Sequence, residues 1–301
     1  MSFVALALAV SAAGCSSDVG QSREGPTITI GSADFSESEL LAEIYAQALE
    51  VEGYQVERNL NAGRREDYAP ALESGELDLV PEYIGSILTF LGGNATSDSE
   101  ATYRALQQAW ADAGIVALDY APAQDKNGIV VRQDTASELG LEKVSDLVQY
   151  NGQLVFGGPP ECFARELCLL GLTDVYGLEF KRFEPLDVGG PRTAAALEVN
   201  EIQVALLFTS DGVIPAKGFV LLEDDKGLQP AENIAPVVRL EIVEAYGDVF
   251  VDYLNKVSRQ LATTELMELN RRIGFDGEEP AEVASDWLQE NGFGRLEAQS
   301  R

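Results

Sequence analysis

The chain has 301 residues, 46% of them hydrophobic, with 50 acidic against 21 basic side chains and a formal net charge of −29. An acid surface of this kind repels nucleic acid and anionic lipid headgroups. Histidine is absent, which excludes an imidazole base and any metal site with a His ligand, and no cofactor is expected.

Residues 2–14, SFVALALAVSAAG, form an apolar run too short to span a bilayer as a mature helix. The run has the form of a signal-peptide core. Its end, AAGC, resembles the bacterial lipobox, with Cys15 as the lipidated residue. Ala12 stands where Leu is usual, and no Lys or Arg precedes the run. Residues 16–26 are polar and rich in Gly and Ser, which predicts a flexible tether.

The folded part opens with a β-branched strand, 27–30. Ser36 and Glu39 form a capping-box pattern, and Leu40, Leu41, Ile44, Tyr45, Ala48 and Leu49 follow at helical spacing. A strand over 55–60 completes a β-α-β order, which predicts a parallel sheet. Asp34, in the loop at the first strand's exit, either caps that helix or touches a ligand. Next comes APALESGELDLVPEYIGS, 69–86. Gly75 suits a left-handed helix end, Leu77–Val80 suit a buried strand, and Pro81 is expected to stop it. Glu82, Tyr83 and Ser86 then hang from a strand's carboxyl end, where open α/β sheets bind ligands. Tyr83 reads equally well as a partly buried core residue. Residues 196–209, ALEVNEIQVALLFT, echo ALESGELDLVPEYI at 71–84, with Asn200 in the place of Gly75. The echo predicts two α/β lobes of similar build.

A helix over 99–113 and a strand over 115–118 lead to Asp125, Lys126, Asn127 and the strand 129–131, a candidate crossing between lobes. The second candidate crossing is 229–238. In the second lobe, Cys162 and Cys168 are far enough apart to bridge, and export would permit it; two buried free thiols are the other reading. Gly189 and Gly190 allow close backbone approach, and Thr193 lies at a helix start whose free N–H groups suit a carboxylate or phosphate. The strand 204–207 exits into Phe208, Thr209, Ser210 and Asp211. Three helices are expected after residue 240.

GSADF, GELDLVPEYIGS, LDVGGPRTAAAL, LFTSDG, LLEDDKGLQPAENIAPVV and WLQENGF together resemble the substrate-binding proteins of ABC importers for osmoprotectants, which bind glycine betaine, choline and carnitine. The resemblance covers nearly the whole chain after the tether. It implies a type II periplasmic-binding-protein fold: an α/β protein of two lobes joined by two hinge strands. Lobe I would be 27–122 and 236–301, lobe II 123–235, with crossings near 121–131 and 229–238. It implies a receptor outside the cell membrane that hands an osmolyte to a permease and its ATPase; the lipobox-like AAGC adds the expectation of a lipid anchor, and a monomer is expected. Ring faces would hold the quaternary ammonium by cation–π attraction. Tyr83 matches the family's site tyrosine and Ser86 stands where Thr is common. Phe208, Thr209 and Asp211 match the tip of the second lobe, and Asn233 the return hinge. Ser38 replaces a frequent Gln, and Asp125, Lys126 and Asn127 occupy a hinge that often carries Tyr. A cage short of one tyrosine and carrying Asp suits a ligand with hydrogen-bond donors. Two other readings stay open on the residues alone: a ligand-sensing lipoprotein on the same fold, and a surface enzyme using a carboxylate pair such as Glu82 with Asp211.

Overall fold

A computed structural model describes residues 23–187 and 189–294. The signal segment, Cys15 and residues 16–22 of the tether lie outside the described residues. The end of the expected tether is held: Arg23 donates to the Glu52 carboxylate at 3.0 Å, and Tyr246 donates to the Pro26 carbonyl at 2.5 Å.

Among the described residues, ten strands form two five-stranded sheets. The first contains β1 (Ile28–Gly31), β2 (Val56–Asn59), β3 (Leu79–Tyr83), β4 (Ile115–Ala117) and β10 (Ile234–Arg239), in the order β2-β1-β3-β10-β4. The second contains β5 (Asn127–Arg132), β6 (Val155–Gly158), β7 (Arg182–Pro185), β8 (Val204–Phe208) and β9 (Phe219–Leu222), in the order β7-β6-β8-β5-β9. The expected parallel pairing holds for β1 with β2 and β3, and for β6 with β7 and β8. Each sheet also admits one crossing strand antiparallel to its neighbours. These are β10 beside β3 and β4, and β5 beside β8 and β9. The two crossings touch through a bridge between Gln124 and Asn233 and through Asp125 N–H to the Glu232 carbonyl at 3.1 Å.

The internal echo is structural. β3 and β8 hold the same place in the two sheet orders. Gly75 and Asn200 before them both take positive φ, 84° and 62°, the left-handed cap that glycine and asparagine tolerate best. Both strands end at the cleft, β3 on Tyr83 and β8 on Phe208.

The helix Ser36–Val51 buries Leu40, Leu41, Ile44, Tyr45, Ala48 and Leu49 against Phe250, Leu254, Val257 and Trp287. Removing each large side chain from water contributes roughly 1.5–3 kcal/mol. Tyr45, wholly buried, keeps its hydroxyl paired with Ser258 Oγ at 2.9 Å.

Three sequence expectations are corrected. The capping box does not form, because the helix begins at Ser36 itself, with Phe35 at the cap and no side-chain cap bond. Pro81 does not end its strand, since β3 runs on to Tyr83. Pro81 faces Pro236 across the β3–β10 ladder. Ile84 N–H donates to the Asn233 carbonyl, so the alternation of an antiparallel ladder puts the proline pair at a non-hydrogen-bonded position. Finally, the described residues from 240 onward hold four α-helices rather than three, Leu240–Tyr246, Asp248–Ser258, Thr263–Arg271 and Pro280–Glu290, the first two split at Gly247 with φ 71°.

Candidate functional site

Two adjoining cavities lie where β3 and β8 end. The smaller, about 340 Å³, is bordered by Phe35, Arg65, Tyr83, Ser86, Asp125, Lys126, Asn127, Phe208, Gln229 and Glu232. The larger, about 480 Å³, is bordered by Phe35, Glu37, Asp125, Phe208, Ser210, Asp211, Asn270 and Phe275. Phe35, Asp125 and Phe208 border both.

Tyr83 arrives as the last residue of β3. Its ring lies near Phe35, with centroids 6.3 Å apart and planes at 26°. Its hydroxyl donates to Glu37 Oε1 at 2.5 Å. Burial and then the Glu37 charge push the phenol well above its ordinary range. Ser86 follows on the helix Ile84–Phe90 and gives both its N–H and its Oγ–H to the Glu232 carboxylate at 2.9 Å. Gly85 has no room for a side chain there, because a Cβ would stand 2.5 Å from the Ala231 carbonyl oxygen. Beneath them Glu82, 1% exposed, accepts from Arg65 Nε and Nη2 and from the Tyr68 hydroxyl.

The second wall is built from β5 and the tip of β8. Asn127 pairs with Phe208 in the ladder, and its side chain donates to the Leu167 carbonyl at 3.2 Å. Gln229, from the return crossing, donates to the same carbonyl at 2.9 Å. Leu167 belongs to the loop that the Cys162–Cys168 disulfide closes, so of the two readings of these cysteines the bridge is the one found.

Acid groups concentrate in the cleft. Glu37, 7% exposed, accepts from Tyr83 and from Asn270 Nδ2 at 2.5 Å. Burial raises its pKa. Burial, then the charge of Glu37, raises Asp125 well above its usual value. Burial also raises Asp211 and Glu232. Such an arrangement suits a cation or a proton, because like charges held together in a partly dry site disfavour full ionisation.

Of the residues singled out in the sequence, the structure brings together Tyr83, Ser86, Asp125, Asn127, Phe208 and Asp211. Others are placed elsewhere. Asp34 is exposed and borders neither cavity, and its N–H is spent on the Gly63 carbonyl. Thr193 is fully buried, and the donors at its helix start are taken by Asp187, which accepts from Arg192 N, Thr193 N and Thr193 Oγ. Gly190 packs against the same Asp187 carboxylate. Thr209 exchanges hydrogen bonds with Lys126 N and the Gln124 carbonyl, and Asn233 donates to the Ala121 carbonyl. Both therefore pin the crossings. Glu82 and Asp211 border no common cavity of the two, so this candidate carboxylate pair is not brought together.

Sequence reading missed Glu37, Arg65, Asn270 and Phe275; Phe35, Ser210, Gln229 and Glu232 lie in the loop, strand tip and crossing it marked but were not singled out as contacts. Glu37 lies two residues past the flagged loop at the exit of β1. Asn270 and Phe275 come from the far end of the chain and carry no local signal.

The comparisons with known proteins agree with this geometry. The family described as the substrate binding domain of ABC-type glycine betaine transport systems matches residues 26–290. A glycine-betaine-binding protein of Pseudomonas aeruginosa is 29% identical over 278 residues, covering 89% of each chain. The carnitine transport binding protein OpuCC of Listeria monocytogenes is 29% identical over 279 residues, covering 89% of this chain and 87% of that one. The structure of apo YehZ from Escherichia coli superposes with a TM-score of 0.79 at 28% identity, covering 89% of this chain and 99% of that one. With two sheets, paired crossings and a ring-lined cleft in place, the chain belongs to this family of ABC-transporter substrate-binding domains, a solute-binding periplasmic-type α/β fold and not an enzyme family.

Proposed function

We propose that the chain captures a small quaternary-ammonium osmolyte, of the glycine betaine, choline and carnitine class, between Tyr83 on one lobe and Phe208 on the other. The carrying observation is that rings from the ends of the two equivalent strands, with Phe35 beside Tyr83, border one cavity of about 340 Å³. A permanent cation cannot donate hydrogen bonds, so ring faces stabilise it, by about 2 kcal/mol or more once desolvated. Ser86, Asn127 and Asp125 would meet the polar end. Asp211 would meet the solute from the larger cavity, while Thr209 and Asn233 would hold the hinge around it. A solute touching both lobes favours the closed state by its differential contacts. Delivery is to a membrane permease with its ATPase. The protein works outside the cytoplasm as a monomer, tethered by a lipid on Cys15. Isothermal titration calorimetry with glycine betaine, choline and carnitine tests the reading: saturable one-to-one heat with at least one of them is expected, and silence with all three removes it. Mass spectrometry of membrane fractions showing unmodified Cys15 would remove the anchor.

A further inference from the structure

We propose that the cleft selects a solute of net positive charge, an organic ammonium without a carboxylate, through the like-charged trio Glu37, Asp125 and Asp211. This rests on the osmolyte-capture reading above and narrows its cargo. All three carboxylates border the 480 Å³ cavity together with the rings of Phe35, Phe208 and Phe275, and no Lys or Arg among the described residues borders it. Phe35 and Phe275 keep 45% and 49% of their surface open, although large apolar rings ordinarily pack away. Open rings beside acids that have no cationic side-chain partner among the described residues form a surface complementary to a soft organic cation.

The charge count extends to the adjoining cavity. Among the described residues, four carboxylates, Glu37, Asp125, Asp211 and Glu232, stand around the whole cleft against two cations, Arg65 and Lys126. Arg65 is already bound to Glu82 through Nε and Nη2. Glu37 takes hydrogen bonds from Tyr83 and Asn270 but has no cationic partner. Ser210 N–H approaches Asp125 only at 3.5 Å, and Asp211 Oδ1 accepts from Val213 N–H. None of these partners supplies positive charge. A zwitterion brings a carboxylate into this field and loses on that end what its ammonium gains. A bare ammonium suffers no such loss, and its charge draws these acids, which burial pushes towards the protonated form, into ionisation as it binds.

The test is calorimetry on the full chain at neutral pH and fixed ionic strength, with choline and glycine betaine, which share the trimethylammonium head but differ in net charge. Putrescine and tetramethylammonium serve as cations outside the osmolyte carboxylates. Choline is expected to bind at least about tenfold more tightly than glycine betaine, a modest share of the Coulomb difference at such separations. Asp125→Asn and Asp211→Asn are expected to bring that ratio down to about threefold or less, the loss falling on choline. Glycine betaine binding as tightly as choline, or more tightly, overturns the charge selection and leaves osmolyte capture standing. Binding of putrescine alone overturns osmolyte capture and supports the selection of cations. If none of the cations binds, the selection is overturned outright.

Discussion

The hydroxyl of Tyr83 donates to Glu37 at 2.5 Å, and both residues are more than nine-tenths buried. One tyrosine thus anchors a buried carboxylate with its tip while its ring borders the cleft. Ring and hydroxyl can be separated by mutation. Tyr83→Phe keeps the ring but removes one donor from Glu37, leaving the bond from Asn270 Nδ2. A stability loss of about 1–3 kcal/mol is expected in urea unfolding, with affinity for the best-bound ammonium changed less than about threefold. Tyr83→Ala is expected to lower that affinity by more than tenfold, in line with about 2 kcal/mol for a desolvated cation–π contact. Equal losses in both variants would assign the role to the hydroxyl.

Stability of the ligand-free protein is expected to fall as pH rises. Glu37 and Asp125 start from ordinary values of 4.5 and 3.8, and burial raises both in the folded state. The groups facing them are Tyr83, Asp211 and Glu232, none of them cationic. Between the ordinary and the raised values the folded state holds more protons, so folding weakens as pH climbs through the raised values. Asp187 and Asp225 act oppositely, since hydrogen bonds lower both, but their window lies below the ordinary carboxylate range. Melting temperatures should therefore decline as pH climbs above the ordinary carboxylate range, and Glu37→Gln should flatten the decline. A melting temperature rising across that interval would contradict the reading.

Reduction of the Cys162–Cys168 disulfide acts at two levels. The bridge spans a separation of 6 residues, and closing so small a loop stabilises by about 2 kcal/mol in the chain-entropy model. The same loop presents the Leu167 carbonyl to Asn127 and Gln229. Cys162→Ser with Cys168→Ser is expected to lower both the melting temperature and the solute affinity. Lower stability with unchanged affinity would show that the loop does not shape the cleft.

Gly212 controls the fit between the lobes. It sits after the tip of β8, where a Cβ would stand 2.3 Å from the Arg271 backbone nitrogen. The helix Thr263–Arg271 spans both lobes there: Leu266 and Leu269 enter the core around β1, and Met267 packs on the core around β8. Asn270 adds a bond to the Ser210 carbonyl at 2.9 Å. Gly212→Val should wedge this contact, lower the affinity for every solute alike and enlarge the radius of gyration with solute present. Wild-type compaction in small-angle scattering would refute the wedge.

Much of the fold was legible in the residues because it rests on local rules. Helical spacing from Leu40 to Leu49, the left-handed positions Gly75 and Asn200, and the apolar runs before Tyr83 and Phe208 each act within a few residues. Their repetition marked two lobes, and the strand exits marked a cleft. Thr193 and Asp34 misled for the complementary reason. A helix start advertises free donors, but whether they stay free depends on a side chain such as Asp187 folding back.

Segment pairing over long distances determined the rest. Asn270 meets Glu37 only because the last helices pack across both lobes, and Phe275 reaches the cleft with them. The acid composition was plain from residue counts, yet its consequence was not. Glu37, Asp125 and Asp211 become a site only when folding holds them within reach of one another and away from water, because a carboxylate's charge is costly or useful according to its neighbours and its solvation.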